Sequence, residues 1–196
     1  MRRMNSPKTD QAAEIRALLN GSATELDRWY RAQHPVVWRL CLGFLGSSEE
    51  AEDAAQEAML KLHDKLDRWD PTQPYVPWRN TLVLNLCRDR LRRLAARKQA
   101  EGRAVQDRVQ PAATAPSAGM EQEELRVLIQ TAMRALPDRE REAFILRELE
   151  ALPTQAVAEI MAVGESSVRS LLTLARRRLR ELLGKQLPEL AGGTDE

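Results

Sequence analysis

Aromatic residues, cysteines and long apolar runs are all scarce in this sequence, and each shortage excludes a class of protein. Aromatic residues make up 4% of the 196 residues, so aliphatic side chains must build the hydrophobic core. The two cysteines stand inside helical patterns, which favours reduced core residues of a cytoplasmic protein over a disulfide. No apolar run approaches the ~20 residues of a membrane span, so we expect no membrane insertion.

The sequence also lacks the residue patterns of metal sites and of catalytic sites. His34 and His63 lack ligand spacing with either cysteine, so the sequence predicts no metal site. The sequence contains no Gly-rich phosphate loop and no nucleophile with a plausible base beside it. We therefore expect no cofactor, no catalytic residues and no enzymatic activity.

Basic residues balance acidic ones over the whole chain, but not within two segments. With 30 basic and 29 acidic residues the formal net charge is +1, which argues against indiscriminate coating of nucleic acid. Residues 85–98, NLCRDRLRRLAARK, contain six basic residues and one acid, as do residues 168–185, VRSLLTLARRRLRELLGK. Both segments also have regular apolar positions, which predicts helices rather than basic tails.

The apolar pattern predicts an all-α protein with two small helical domains. Alanine, leucine, glutamate and arginine dominate, which favours helices, and no strand pattern of any length occurs. Residues 10–98 form the first block, with a proline-containing loop at residues 70–77. Residues 99–120 have no apolar period and predict a flexible linker. Residues 121–184 form the second block, which contains a helix-turn-helix, and residues 185–196 form a tail.

The fourth predicted helix of the first block, WRNTLVLNLCRDRLRRLAARK (residues 78–98), has one apolar and one polar side. Val83, Cys87, Leu91 and Leu94 recur at helical spacing and form an apolar stripe. The same spacing on the other side collects amide, carboxylate and guanidinium groups: Asn85, Arg88, Asp89, Arg92 and Arg93. The residues alone leave two interpretations open, a solvated surface or a face that contacts phosphates and bases.

The second block contains a short helix, a turn with Gly164 and a longer helix, TQAVAEIMAVGESSVRSLLTLARRRL. This is the helix-turn-helix pattern, in which the second helix enters the major groove of DNA. The positions predicted to face the core are Val168, Leu172, Ala175, Leu179 and Leu182. The predicted DNA-contacting residues are Ser166, Ser167, Arg169, Ser170, Thr173, Arg176 and Arg177. An ordinary helical hairpin is the alternative.

The third predicted helix of the first block, SSEEAEDAAQEAMLKLHDKLDRW (residues 47–69), is acidic, whereas the two segments described above are basic. Ser47 followed by Glu50 predicts a capping box at its start. Its predicted core side is Ala51, Ala55, Ala58, Leu62 and Leu66. One outward face collects polar groups around a leucine: Asp53, Gln56, Glu57 and Leu60. An exposed leucine among acids favours a protein partner, and a solvated surface with one stray leucine is the alternative.

Together these segments resemble the extracytoplasmic-function (ECF) class of bacterial sigma factors. EEAEDAAQEAMLKLH is similar to the acidic helix of the family, and PWRNTLVLNLCRDRLRR is similar to its helix that starts at Trp. ALPDREREAFILRELEALPTQAVAEIMAVGESSVRSLLTLARRRLREL is similar to the C-terminal domain of the family over its full length. The order of the three motifs is far more specific than any one of them.

The resemblance implies partners and roles. Such proteins bind core RNA polymerase, through the clamp of the largest subunit and the flap region, and carry it to promoter DNA; an anti-sigma factor is a further implied partner. The N-terminal domain reads and melts the minus-ten element, and the C-terminal domain binds the minus-thirty-five element. Asp53, Gln56 and Glu57 match positions that meet the clamp, and Asn85 matches the residue that captures an unpaired base.

The sequence also departs from the family pattern. After Trp78 the family usually has Leu-Tyr-Arg, whereas this chain has Arg-Asn-Thr. Pro153 replaces the usual serine cap, and Leu171 and Leu174 stand where basic residues are frequent. These departures bear on which promoter sequence is recognised.

The length of the linker fits two separate DNA elements. About twenty residues span at most ~70 Å when extended, and two turns of duplex measure about 70 Å. One chain can therefore place one basic helix on each of two elements. The chief rival is a helix-turn-helix repressor or activator with a helical N-terminal regulatory domain, which would leave the acidic third and basic fourth helices unexplained.

Overall fold

The computed structural model describes residues 15, 17–18, 23–100 and 122–184, and that part of the chain contains helices and no strand. Its α-helices are α1 Ala23–Leu45, α2 Ser48–Asp64, α3 Tyr75–Ala100, α4 Gln122–Arg134, α5 Asp138–Phe144, α6 Thr154–Met161 and α7 Glu165–Gly184. A 3-10 turn occupies Leu66–Arg68, and a π-helical segment, Ile145–Leu149, follows α5. The predicted all-α class is confirmed.

The chain divides into two compact units, the first including residues 47–89 and the second including residues 122–184. The linker predicted at residues 99–120 overlaps the last two residues of α3, and from residue 101 it lies outside the described residues. The tail predicted at residues 185–196 lies outside them too. No helix among the described residues is long and apolar enough to cross a membrane.

Small side chains on α2 form the centre of the first unit. The helix buries a continuous side of alanines with two larger residues: Ala51, Ala54, Ala55, Ala58, Met59 and Leu62. The helix begins after Ser47, whose Oγ accepts a hydrogen bond from the backbone N–H of Glu50 at 3.4 Å, as the capping pattern predicted. Cys41 and Cys87 are buried and are not joined by a disulfide, as expected, and the Cys87 thiol donates to Cys41 Sγ at 3.8 Å.

Aromatic residues surround the start of α3. Trp69 and Tyr75 are buried in an edge-to-face arrangement with ring centroids 5.6 Å apart, and Trp78 packs against them. The loop predicted for residues 70–77 is therefore too long, because α3 already begins at Tyr75. Pro77 is tolerated there since the backbone N–H groups of a first helical turn have no intrahelical partner.

A buried arginine closes the end of α4 in the second unit. The guanidinium of Arg141, 8% exposed, donates to the backbone carbonyls of Met133 at 3.0 Å, Arg134 at 3.0 Å and Leu136 at 2.8 Å. Carbonyls at a helix end have no intrahelical donors, so this side chain supplies donors to Arg134 and Leu136 and a second donor to Met133, whose carbonyl also accepts from Leu136 N–H at 3.2 Å. Burial lowers the pKa of Arg141, which Asp138 opposes from 3.4 Å.

The helix-turn-helix forms as the sequence predicted, with one difference in its turn. Ala162 ends α6 in the left-handed conformation, φ 52° and ψ 50°, and the next N–H donates to the Ala158 carbonyl at 3.0 Å. The turn contains Gly164 as expected, but this glycine precedes α7, where its carbonyl accepts from Val168 N–H at 3.1 Å. The position that favours glycine is therefore held by an alanine.

The core-facing positions predicted for α7 are confirmed. Four of them are buried, namely Val168, Leu172, Ala175 and Leu179, and Leu182 is half-buried. The helix α7 packs against α5 and against α6, whose buried residues are Val157, Ala158, Ile160 and Met161. This packing fixes the rotation of α7 about its axis, and so determines which residues face outward.

We predict that Arg141→Lys destabilises the protein by about 2–4 kcal/mol, because one ammonium cannot replace a planar fork that reaches three carbonyls. Arg180→Lys, an exposed change on α7, is the matched control and should shift the free energy of unfolding by less than about 0.5 kcal/mol. Urea denaturation followed by circular dichroism measures both. Equal stability of the two variants would show that the carbonyls of α4 do not need Arg141.

We predict that Ala162→Gly stabilises the protein by about 0.5–1 kcal/mol, because glycine adopts the left-handed conformation without the steric cost of a Cβ atom. Ala156→Gly, within α6, should instead lower stability by about 1 kcal/mol. Denaturation midpoints of the two variants should therefore move in opposite directions. A loss of stability in both would contradict the backbone geometry at Ala162.

Candidate nucleic-acid and polymerase interfaces

The predicted recognition face of α7 is exposed along its whole length. All seven predicted residues lie on the surface: Ser166, Ser167, Arg169, Ser170, Thr173, Arg176 and Arg177. The hydroxyl groups of Ser170 and Thr173 donate to the carbonyls of Ser166 and Arg169 at 3.1 and 3.0 Å. Each hydroxyl proton is therefore engaged, and its oxygen can accept a hydrogen bond from a base.

Each predicted arginine of this face has a carboxylate partner, which the sequence analysis did not anticipate. The pairs are Arg169 with Glu165 at 3.5 Å, Arg177 with Glu181 at 3.8 Å, and Arg176 with Glu148 at 2.5 Å. The first two are neighbours at i, i+4, so helical spacing could have revealed them. Glu148 precedes Arg176 by 28 residues, and only the fold brings it to α7. The positive charge of the face is thus largely compensated.

Two further arginines of α7 have different surroundings. Arg178 Nε lies 2.9 Å from Oε2 of the buried Glu140, which directs this arginine towards α5. Arg180 is exposed and forms no ion pair with the described residues.

The polar stripe of α3 lies on the surface as predicted. Asn85, Asp89, Arg92 and Arg93 are exposed and Arg88 is half-buried. Arg88 Nη1 donates to Asn85 Oδ1 at 2.8 Å, which orients the amide and leaves its NH₂ group directed elsewhere. On the other side of the helix, Val83, Leu84, Leu86 and Cys87 are buried. The apolar side is thus separated from the stripe.

The Arg-Asn-Thr departure after Trp78 lies largely in the interior. Arg79 and Asn80 are 4% and 0% exposed. The Arg79 guanidinium donates to Asn80 Oδ1 at 3.1 and 3.0 Å and to Gln33 Oε1 at 3.1 Å. This buried polar network joins α3 to α1 and was not foreseen from the sequence. The departure therefore changes the interior of the first unit rather than its polar stripe.

The outward face of α2 also has the predicted orientation. Leu60 is 68% exposed, more than any other large apolar residue described. Asp53 and Gln56 are exposed beside it, and the half-buried Glu57 pairs with Lys61 at 2.7 Å. An exposed leucine surrounded by polar groups has the composition of a protein contact surface.

Family models match both units. "Sigma-70 region 2" matches residues 29–97 and "Sigma-70, region 4" matches residues 126–179. The chain is 31% identical to the ECF RNA polymerase sigma factor SigM of Mycobacterium tuberculosis over 170 residues, covering 87% of this chain and 83% of the relative. The chain is an ECF sigma factor. SigW of Bacillus subtilis, another such factor, is 28% identical over 161 residues, covering 79% and 84% of the two chains.

Solved structures show the same fold. The sigma factor RpoE, in a co-crystal structure with the anti-sigma factor NepR from Bartonella quintana, has a TM-score of 0.68 at 20% identity, covering 82% of this ECF sigma factor and 98% of that chain. CnrH, in complex with the cytosolic domain of CnrY, has a TM-score of 0.64 at 16% identity, with coverage of 88% and 96%.

Membership of this family accounts for both halves of the chain. A sigma factor directs RNA polymerase to promoters, and the region 2 match contains the acidic α2 and the basic α3 as far as residue 97. The region 4 match contains the helix-turn-helix as far as residue 179. The rival, a repressor or activator with a regulatory N-terminal domain, is not favoured, because the N-terminal half is itself a sigma region.

Proposed function

We propose that this ECF sigma factor contacts the minus-ten element through the polar stripe of α3 and the minus-thirty-five element through the exposed face of α7. The observation that supports this most directly is the separation of sides on both helices. Each helix buries an aliphatic side and exposes amide, hydroxyl and guanidinium groups on the other. These are the groups that bind phosphates and base edges.

On α3, we assign the capture of an unpaired base to Asn85. Its amide has a donor and an acceptor, and Arg88 holds the acceptor in place. Arg92 and Arg93, exposed two turns further along, are positioned for the phosphate backbone. Asp89 lies between these groups on the same face.

On α7, we assign base reading to the N-terminal half and backbone binding to the C-terminal half. Ser166, Ser167, Arg169, Ser170 and Thr173 occupy the first turns, where a recognition helix meets base edges. The guanidinium groups of Arg176 and Arg177, one to two turns later, are suited to phosphates. The compensated charge of this face predicts weak duplex binding without polymerase.

We assign the outward face of α2, with Leu60 at its centre, to the clamp of the largest polymerase subunit, and region 4 to the flap. An anti-sigma factor is a further proposed partner, because solved relatives were crystallised with the anti-sigma factor NepR and with CnrY. We propose that the protein acts in the cytoplasm, where RNA polymerase works, by binding alone and without catalysis.

Co-purification with core RNA polymerase followed by run-off transcription tests the proposed function. The reconstituted enzyme should initiate from a defined subset of genomic fragments, and core enzyme alone should not. Nanomolar, sequence-specific binding to duplex DNA without polymerase, together with no transcription, would instead identify a repressor.

We predict that Asn85→Ala impairs promoter opening more than closed-complex formation, since the amide is assigned to a base that is unpaired only after melting. Permanganate reactivity of the melted thymines should fall, while gel-shift affinity at low temperature changes little. Gln99→Ala removes an exposed amide from the last turn of α3 and is the matched control. Normal permanganate reactivity in the Asn85 variant would contradict the assignment.

We predict opposite outcomes for two leucines of α2. Leu60→Ala should weaken binding to core polymerase by about 1–2 kcal/mol and leave thermal stability nearly unchanged. Leu62→Ala, two residues away and fully buried, should cost the fold about 2–5 kcal/mol. Melting temperature and core affinity are measured for both. Unchanged core affinity in the Leu60 variant would move the clamp contact elsewhere.

A further inference from the structure

Arg176 is held at the edge of the recognition face by an acid from another segment. Its Nη2 lies 2.5 Å from Glu148 Oε1, within hydrogen-bonding distance as well as ion-pair distance. Glu148 belongs to the π-helical segment Ile145–Leu149, which lies between α5 and α6 in the chain. The two side chains are 54% and 37% exposed, so DNA can reach the pair from solvent.

A paired arginine contributes differently to DNA binding from a free one. Neutralising a phosphate releases a condensed counterion, which gives DNA binding its dependence on salt. An arginine that already neutralises a carboxylate must exchange that partner before it binds a phosphate, and the carboxylate repels the phosphate. An exposed ion pair contributes little to stability, so DNA can break it, but at a cost to affinity.

Arg180 provides an internal reference for this effect. It lies one helical turn after Arg176, at i+4, and therefore on the same edge of α7. Unlike Arg176, it forms no ion pair with the described residues. The two arginines thus share residue type, helix and edge, and differ in the presence of a carboxylate.

We propose that Glu148 is a positioning residue that lowers the intrinsic DNA affinity of this sigma factor by holding Arg176 away from the phosphate backbone. The proposal rests on the proposed role of α7 as the recognition helix. It assigns a function to a residue outside the helix-turn-helix. It implies that the pair with Glu148 limits the contact of Arg176 with phosphate, whereas no such pair limits Arg180.

The test measures binding of the full-length chain to a fluorescein-labelled mixed-sequence duplex of about three helical turns, by anisotropy between about 50 and 200 mM salt. Glu148→Gln should raise affinity and steepen the slope of log K against log salt by up to about 0.9, equivalent to at most one added phosphate contact. Arg180→Ala should reduce the slope by about 0.9, whereas Arg176→Ala should reduce it by less, because the pair with Glu148 limits contact between Arg176 and phosphate.

The double variant separates positioning from simple repulsion. If Glu148 acts through Arg176, adding Arg176→Ala to Glu148→Gln should abolish the gain in affinity and bring the slope to that of Arg176→Ala alone. If the gain persists in the double variant, Glu148 repels DNA directly and the proposal is wrong. Asp27→Asn on α1, which also removes one negative charge from an exposed ion pair, controls for net charge.

Failure of this inference is distinguishable from failure of the proposed function. If Arg180→Ala weakens binding and Glu148→Gln changes nothing, α7 binds DNA but Glu148 has no part in it. If neither Arg180→Ala nor Arg177→Ala changes affinity or slope, α7 is not a DNA-binding helix and both proposals fall. Thermal melting of each variant establishes that these exposed substitutions leave the fold intact.

Discussion

The packing of α7 against α5 and α6 is the constraint on which the DNA-binding surface of this sigma factor depends. A helix turns about 100° per residue, so burying Val168, Leu172 and Ala175 fixes the direction of every other side chain on α7. Ser170 and Thr173 face outward for that reason alone. The buried guanidinium of Arg141 supports the same unit from another side, because it satisfies the last carbonyls of α4.

Charge compensation is the second theme of the structure. A chain of net charge +1 concentrates its basic residues on two helices and then pairs the predicted arginines of α7 with acids. Free sigma factor would gain little from binding random duplex, since paired arginines release few counterions. In the proposed function, polymerase brings the two units to their promoter elements together, so that their contacts add.

The sequence was sufficient to predict whatever depends on periodicity. The buried and exposed sides of α2, α3 and α7 follow from spacing, which is why Leu60 is exposed and Leu62 is buried as expected. Features that depend on tertiary contacts could not be predicted from periodicity. The pairing of Glu148 with Arg176 spans 28 residues, and nothing local to Arg141 indicates the carbonyls it reaches. Assignments of individual residues to DNA or to polymerase remain predictions.

Local rules failed where the chain departs from the usual residue for a conformation. Ala162 adopts a left-handed conformation, which usually requires glycine. The sequence pattern therefore indicated Gly164, two residues later, as the turn residue. Pro77 reads as a loop residue, yet it lies in the first turn of α3, where its missing N–H costs nothing. Arg79 and Asn80 resemble surface residues but satisfy each other inside the first unit.

Tethered DNA cleavage tests most directly whether one chain places two helices on two promoter elements. The native cysteines are both buried, so a cysteine introduced at Ser167 or at Arg93 can carry an iron chelate selectively. In the polymerase complex at a promoter, the probe at Ser167 should cleave near the upstream element and the probe at Arg93 near the melted region, about two helical turns apart. Cleavage by both probes at one site, or by neither, would contradict the account.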